Sequence, residues 1–568
     1  MILFHDLLNK ISLMKALRLI IILVLGINLS VFSQALNSSS FEVSKNLDIM
    51  TNVFKELNNN YVDEVNYGNL MKTGIDAMLE ELDPYTVFIS EAEIEDYNFM
   101  TTGQYGGIGA LIHKQGKYVV ISEPYENSPA YKAGLQAGDK ILTINGADAT
   151  NKSVSDVSQM LKGQPGTKLN LQIDRDNFKM DRVVIRENVS IPNVAYYSRF
   201  DDGIGYIKLT GFTQNSGKEV KDAFLKLKEQ GSLTGLILDL RDNGGGLLNE
   251  AVTITNLFVK KGELVVSTKG KTPDRNKSYK TLSTPIDPNI PLVVLVNGMS
   301  ASASEIVAGA IQDLDRGVII GERTFGKGLV QNIIPLSYNT QMKVTVAKYY
   351  IPSGRCIQSV DYVHRDSLGR SVSIPDSLTN AFKTKGGRTV YDGAGINPDI
   401  AVEEHLYSNI ALSLLSKYLF FDYANKFRRE HDSILPAKDF KITDEIYADF
   451  VNWLQDKDYD YVSRSEKMLA DLKKTAETEQ YYDELKQEFD LLESKMIHNK
   501  QADLEKFRPE IERILKNEIV ARYYNQKGRV EAAIVDDKEV KLAREVLKDQ
   551  KKYVSVLDGS YTVNMTKS

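Results

Sequence analysis

Residues Asn297 to Gln331 read N-G-M-S-A-S-A-S-E-I-V-A-G-A-I-Q-D-L-D-R-G-V-I-I-G-E-R-T-F-G-K-G-L-V-Q. The apolar run Leu292 to Val296 leads in and predicts a buried strand. Ser300, Ser302 and Ser304 then alternate with alanines, and from about Ser302 the pattern turns helical through Ile306, Val307, Ala310, Ile311 and Leu314. Gly317 breaks the helix, and Gly317 to Gly321 predicts another short strand. A helix from Ser302 to Leu314 spans roughly 18–20 Å. A strand running back beside it returns Lys327 to the level of the serines. If the chain stays extended there, Lys327, Leu329 and Gln331 share one side.

A serine at a helix start with a lysine beside it suits nucleophilic catalysis. Serine is a weak nucleophile until a base takes its proton, and a lysine serves once burial lowers its pKa. The apolar residues Phe325, Leu329 and Val330 offer such a frame. The helix dipole favours negative charge near Ser302, and the first N–H groups of the helix are free to hold an oxyanion. Spacing alone does not choose among the three serines. Gly321 to Lys327 also fits G-x-x-x-x-G-K, the start of a phosphate-binding loop. That loop requires Ser or Thr next and a helix after it. Here Gly328 follows and then strand-like sequence, so the nucleotide reading fails.

The segments V-N-G-M-S-A-S-A-S-E-I-V-A-G-A-I-Q-D and G-E-R-T-F-G-K-G-L-V-Q closely resemble the carboxyl-terminal processing peptidases, or tail-specific proteases. The resemblance runs from about Val43 to Ile400. It implies Ser302 as nucleophile, Lys327 as general base and Gln331 as the lysine's orienter. Asp242-Asn243-Gly244-Gly245-Gly246 follows L-I-L-D-L-R, Leu236 to Arg241, which predicts another buried strand. Glycines there can present N–H groups where a side chain would obstruct. By the resemblance Gly245 or Gly246 gives one oxyanion donor and the amide of Ala303 the other. The strand–helix repeats resemble the α/β spiral core shared with crotonases. Asp313 matches the family pattern but is read as structural, and Glu305 as a helix-start residue favoured by the dipole.

Gly103 to about Glu187 predicts a PDZ domain. Ser128 to Gly146, S-P-A-Y-K-A-G-L-Q-A-G-D-K-I-L-T-I-N-G, is its specific signature, and Val154 to Leu161 is the groove helix. Tyr105, Gly106, Gly107, Ile108 and Gly109 form the glycine loop expected to hold a substrate's terminal carboxylate while the tail adds as a strand.

The chain has 568 residues, room for several domains. A net charge of −6 gives no sign of nucleic-acid binding. Six histidines without H-E-x-x-H, and a single cysteine, Cys356, point to no metal and no internal disulfide; no cofactor is implied. Lys15 and Arg18 precede the apolar run Leu19 to Phe32, followed by Ser33-Gln34-Ala35. This predicts a signal peptide over 1–35, with Met14 an alternative start, and export to the periplasm; an uncleaved anchor needs a longer run. The expected organisation is α/β and multi-domain: a helical segment over 41–102, the PDZ domain over 103–188, the peptidase domain over 189–402 and a helical extension over 403–568. Charge runs in that extension read as solvated helix faces. An oligomer or adaptor contact there is compatible, and nothing in the sequence selects it.

A non-catalytic peptide-binding scaffold of the same fold is the alternative, but it predicts a lost nucleophile or base, and Ser302, Lys327 and Gln331 are all present. A chymotrypsin-like protease needs a His–Asp pair and a PDZ domain placed after the catalytic one. Here the PDZ domain comes first, and His364 lies in a polar stretch. The expected activity is a Ser–Lys endopeptidase acting on proteins held by their C-termini.

Overall fold

The computed structural model describes residues 41–366, 370–403, 406–496 and 500–561. The expected signal segment 1–35 lies outside them. Among the described residues no helix is long and apolar enough to cross a membrane. The chain forms two compact units that divide between Glu81 and Leu82.

The first unit is helical over 41–60 and again over Tyr67–Glu80. The pattern of Phe41 to Leu82 reads as helical, and the structure interrupts it at 61–66. Asn66 restarts it as an N-cap, its side chain accepting from the Asn69 N–H at 3.0 Å. The segment expected to be helical over 41–102 also holds a strand before its last helix, Ile94–Thr102. That strand, Val87–Ile89, belongs to the second unit and pairs antiparallel with Gln341–Met342–Lys343 of the same unit.

In the second unit the region of the expected PDZ domain is an antiparallel sheet. Its order is Ala110–Gln115, Tyr118–Pro124, Lys140–Ile144, Lys168–Arg175, Phe178–Ile185. Inward residues such as Val119, Ile121, Ile141 and Leu171 bury against Val157 and Leu161 of the helix Val154–Leu161. Ala110–Gln115 is an edge strand beside that helix. Entry and exit strands, Gln104–Gly107 and Glu187–Ser190, pair with each other, so the sheet is carried as an insertion on a two-stranded stem.

The six-stranded central sheet runs Val194–Arg199, Ile204–Leu209, Gly235–Asp239, Leu292–Val296, Val318–Gly321, Ile400–Ala401. Only the first pair is antiparallel. Leu292, Val294 and Val296 face one core with the helices Leu248–Phe258 and Ala303–Asp313. Val293 and Leu295 face another. Strands buried on both faces read as near-continuous apolar runs: Leu292 to Val296 is unbroken, and Leu236 to Leu240 is interrupted only by Asp239.

The second core is closed by Lys538–Lys548 and Gln550–Asp558, from the end of the expected extension. Val540, Ala543, Val546, Leu547, Tyr553 and Val556 lie against Ile237, Val293 and Ile320. The Tyr553 hydroxyl accepts from the Leu292 N–H at 3.0 Å. Arg241 follows the third strand and binds Asp239 at 2.6 Å, Asp537 at 2.8 Å, and Glu539. These helices are the second cover of the central sheet. The rest of the extension packs around Phe420, Tyr423, Phe450 and Leu515.

Leu547 sits over Gly235, where an added Cβ would stand 3.1 Å from its Cδ2. Leu547→Ala should destabilise the folded chain by ~2–5 kcal/mol, whereas Val554→Ala, at a side chain 46% exposed, should stay within about 0.5 kcal/mol. Chemical denaturation of the two variants in parallel checks the contrast.

Candidate active site

The turn after Leu292–Val296 sorts the three serines. Ser300 is fully buried, and its hydroxyl donates to the Leu240 carbonyl at 2.8 Å. Ser304 is also fully buried and donates to the Asn243 carbonyl at 2.8 Å. Both hydroxyls tie the turn to the glycine loop. Ser302 is partly exposed and caps the fully buried helix Ala303–Asp313. Its φ of 56° with ψ of −110° is a strained backbone for a residue with a side chain.

The glycine loop is pressed onto this turn. At Gly245, φ 97°, a Cβ would stand 2.6 Å from the Ala301 oxygen and 2.9 Å from the Ala303 nitrogen. Only glycine fits there. Asn243 holds the loop: its Nδ2 donates to the Leu209 carbonyl at 2.9 Å, and its Oδ1 accepts from the Gly245 N–H at 2.9 Å.

Glu305 is fully buried and joins Ser302 to the lysine segment. Oε2 accepts from the Ser302 N–H at 2.8 Å and from the Lys327 N–H at 2.9 Å. Oε1 accepts from the Thr324 hydroxyl at 2.6 Å and the Gly326 N–H at 2.7 Å. The backbones of Ser302 and Lys327 therefore lie within two hydrogen-bond lengths of each other, across one oxygen. Burial pushes this carboxyl's pKa up, against the four hydrogen bonds.

The Lys327 side chain is partly buried, and its pKa is lowered to about 8. Burial is the larger cause and the positive charge of Lys343 the next; Asp83 and Glu305 oppose them. The ammonium lies 4.1 Å from the centre of the Tyr85 ring. Phe325, expected to frame the lysine, is 48% exposed; Tyr85 is the aromatic neighbour instead.

A model described as peptidase family S41 matches residues 203–366. The carboxy-terminal-processing protease of Bartonella bacilliformis is 34% identical over 354 residues, covering 61% of this chain and 81% of that one. The chain belongs to the carboxy-terminal-processing proteases. It is a serine-type peptidase of family S41. A probable CtpA-like serine protease of Staphylococcus aureus is 32% identical over 335 residues, 58% of this chain and 65% of that one. A solved photosystem II D1 C-terminal processing protease is 30% identical, covers 60% of this chain and 84% of that chain, and superposes with a TM-score of 0.34. A PDZ-domain model matches 120–175, and a model described as the C-terminal helical domain of a probable PDZ-protease matches 410–547.

The other expected site residues of this carboxy-terminal-processing protease fall as follows. Gln331 donates through Nε2 to the Thr345 hydroxyl at 3.1 Å. A bulge between Val330 and Gln331 interrupts the alternation on which Lys327, Leu329 and Gln331 were to share one side. Among the described residues Gln331 has no hydrogen bond to Lys327. Tyr105, Gly106 and Gly107 pair with Glu187 to Val189, so the start of the glycine loop is committed to the stem. The Tyr105 ring folds over Gly107, where a Cβ would stand 2.5 Å from it, and meets Phe99 edge-on. Ile108 is buried in the PDZ core, and Gly109, φ 72°, leads into the edge strand. Asp313 pairs with the buried Arg355 at 2.8 Å, a structural ion pair. His364 is exposed on the strand Val360–Arg365, rather than in a loop, and pairs with Asp361 at 2.8 Å.

Sequence reading missed two residues. Glu305 reads as a dipole-compatible helix start, and its other partners lie 19 to 22 positions later. Tyr85 belongs to L-D-P-Y-T, Leu82 to Thr86, which resembles the region before the recognition domain in this family. The Asp-Pro turn signal was the clue: Asp83 accepts from the Tyr85 and Thr86 N–H groups at 2.8 and 2.9 Å and fixes the ring.

Glu305→Gln keeps the shape but turns an NH₂ group toward N–H donors. Turnover of an unstructured peptide should fall on the order of 100-fold through misplacement of the pair. Steady-state kinetics checks this, with circular dichroism confirming a native spectrum.

Proposed function

We propose that this protein is an exported serine endopeptidase that takes protein substrates by their free C-terminal tails and cuts them with Ser302 and Lys327 through an acyl-enzyme. The observation that carries the reading is the buried Glu305 carboxylate, which accepts from the N–H of Ser302 and of Lys327 on a single oxygen. A lysine pKa of about 8 supports its use as a base near neutral pH.

In this mechanism neutral Lys327 takes the Ser302 Oγ proton as Oγ bonds to the scissile carbonyl carbon. The oxyanion is held by the Ala303 N–H and by Gly245 or Gly246; the Gly245 N–H already donates to Asn243, which favours Gly246. The lysine proton passes to the departing amine nitrogen as the C–N bond breaks, leaving an ester on Ser302. Water gives a proton to Lys327 and attacks the ester, and that proton returns to Oγ as the acid product leaves. Gln331, tied to Thr345, is the proposed orienter of the lysine.

The edge strand Ala110–Gln115 beside Val154–Leu161 supports tail capture by strand addition, with Gly109 and its neighbours at the carboxylate end. The apolar run Leu19 to Phe32 after Lys15 and Arg18 supports export, with the periplasm as the compartment.

Ser302→Ala and Lys327→Ala should each abolish cleavage, and the double variant should be little worse than either, because the two act as one unit. Activity should rise with pH through a midpoint of about 8 as Lys327 loses its proton. Lys327→Arg should not rescue, since a guanidinium stays charged. Profiles of kcat/KM against pH check this; a limb at the histidine value that His364→Ala removes overturns the assignment.

One unstructured substrate with a free and with an amidated C-terminus tests tail capture. Amidation removes the charge and sets N–H against N–H. Charge-assisted hydrogen bonds of about 1.5–3 kcal/mol imply a roughly ten- to hundredfold loss. The loss should be confined mainly to sub-saturating substrate, since the anchored tail is remote from the bond cut. Equal rates refute tail recognition and leave a general peptidase.

A further inference from the structure

We infer that Tyr85 is a positioning residue for the base: its ring face is the counter-surface for the Lys327 ammonium that forms each time the lysine carries a proton. The inference rests on the reading of Lys327 as the base. Among the described residues, Lys327 Nζ has no hydrogen bond or ion pair; the Tyr85 ring, 4.1 Å away, is its polar contact. An aromatic face carries a negative quadrupole, so it attracts an ammonium and has no comparable attraction for the neutral amine.

The ring is fixed from several directions. Asp83, itself buried, holds the Tyr85 and Thr86 N–H groups on Oδ1 and the Thr86 hydroxyl on Oδ2 at 3.0 Å. The Thr345 N–H donates to that hydroxyl at 3.2 Å, tying the segment to the strand Gln341–Tyr350. Tyr362 meets the ring edge-on, with centroids 6.1 Å apart. The charged and titratable groups around the pair are Lys343 on that strand, Asp83 before the ring, Glu305 on the helix and Tyr362 on the strand Val360–Arg365. Burial and Lys343 disfavour the ammonium, and the ring acts against them. Without it the lysine would deprotonate at lower pH and be a weaker base, so both the pH midpoint and the plateau rate would fall.

The test uses the full chain and a probe that needs no tail. Diisopropyl fluorophosphate phosphorylates an activated serine with loss of fluoride, and intact mass follows the rate on Ser302 against pH. The wild-type rate should rise through about 8, with Ser302→Ala and Lys327→Ala unlabelled. Tyr85→Leu should move that limb down by about 0.4–1.5 pH units, the range of a cation–π contact, and lower the plateau. Tyr85→Phe keeps the face and should leave the limb where the wild type has it. Tyr85→Met is read in place of leucine if the latter does not fold. A leucine or methionine limb that coincides with the wild type or moves up overturns the inference while leaving the dyad standing. So does a phenylalanine limb shifted as far as the leucine one. Labelling that persists in Lys327→Ala at the wild-type rate overturns the dyad reading itself.

Discussion

One buried carboxylate organises the site. A charge taken out of water is costly unless it is fully hydrogen-bonded, and Glu305 has four donors, two on each oxygen. Three are backbone N–H groups, so the bond set fixes chain path as well as side chains. It binds the first turn of a fully buried helix to the loop Thr324 to Lys327. That loop cannot drift from the helix without stranding the buried carboxylate, two amides and a hydroxyl. Thr324 extends the hold, its hydroxyl accepting from the Ile396 N–H at 2.7 Å. The separation between the proposed nucleophile and the backbone of the proposed base is thus set by the chain's own hydrogen bonding, before any substrate arrives.

The helix that carries Ser302 is rigid because the sheet behind it is buried on both faces. Residues alternate between the two cores along the central strands; the first core is built from residues within 189–402, and the second is not. The last two helices supply the missing face, and Arg241 locks them next to the glycine loop through Asp537 and Glu539. Arg241 directly precedes Asp242, whose N–H donates to Asn297 Oδ1 at 3.0 Å. The chain's far end therefore buttresses the loop that packs on Ser302.

Much of this was legible in the sequence because the signals are local. Apolar runs gave the central strands, Gly317 the helix end, and the 128–146 signature the PDZ sheet. The serine, lysine and glycine-loop positions lay in long contiguous motifs. What stayed hidden depends on who meets whom. Three serines in identical local settings differ only in their distant acceptors, Leu240 for Ser300 and Asn243 for Ser304. The apolar stripe Val540, Ala543, Val546 and Leu547 is visible as a helix face, but nothing in it names a sheet some 250 residues earlier as its partner. The break at 61–66 was missed because Asn66 is one polar residue in an otherwise helical pattern, and its capping role appears only with the Asn69 amide.

The proposed use of Lys327 as a base raises a physical difficulty that the fold addresses. Lowering its pKa from 10.5 to about 8 favours the amine over the ammonium by ~3 kcal/mol. Yet the reaction must form that ammonium, so the pocket cannot simply exclude charge. The charges that set the balance come from both sides of the inserted PDZ sheet: Asp83 precedes it, while Lys343 and Glu305 follow. The strand Val87–Ile89 brings the first group to the second by pairing Val87 with Lys343 itself. The lysine's environment is therefore complete only when the segments before and after the insertion have joined one sheet. Basicity at this site is a property of tertiary assembly, which no motif around Lys327 could encode alone.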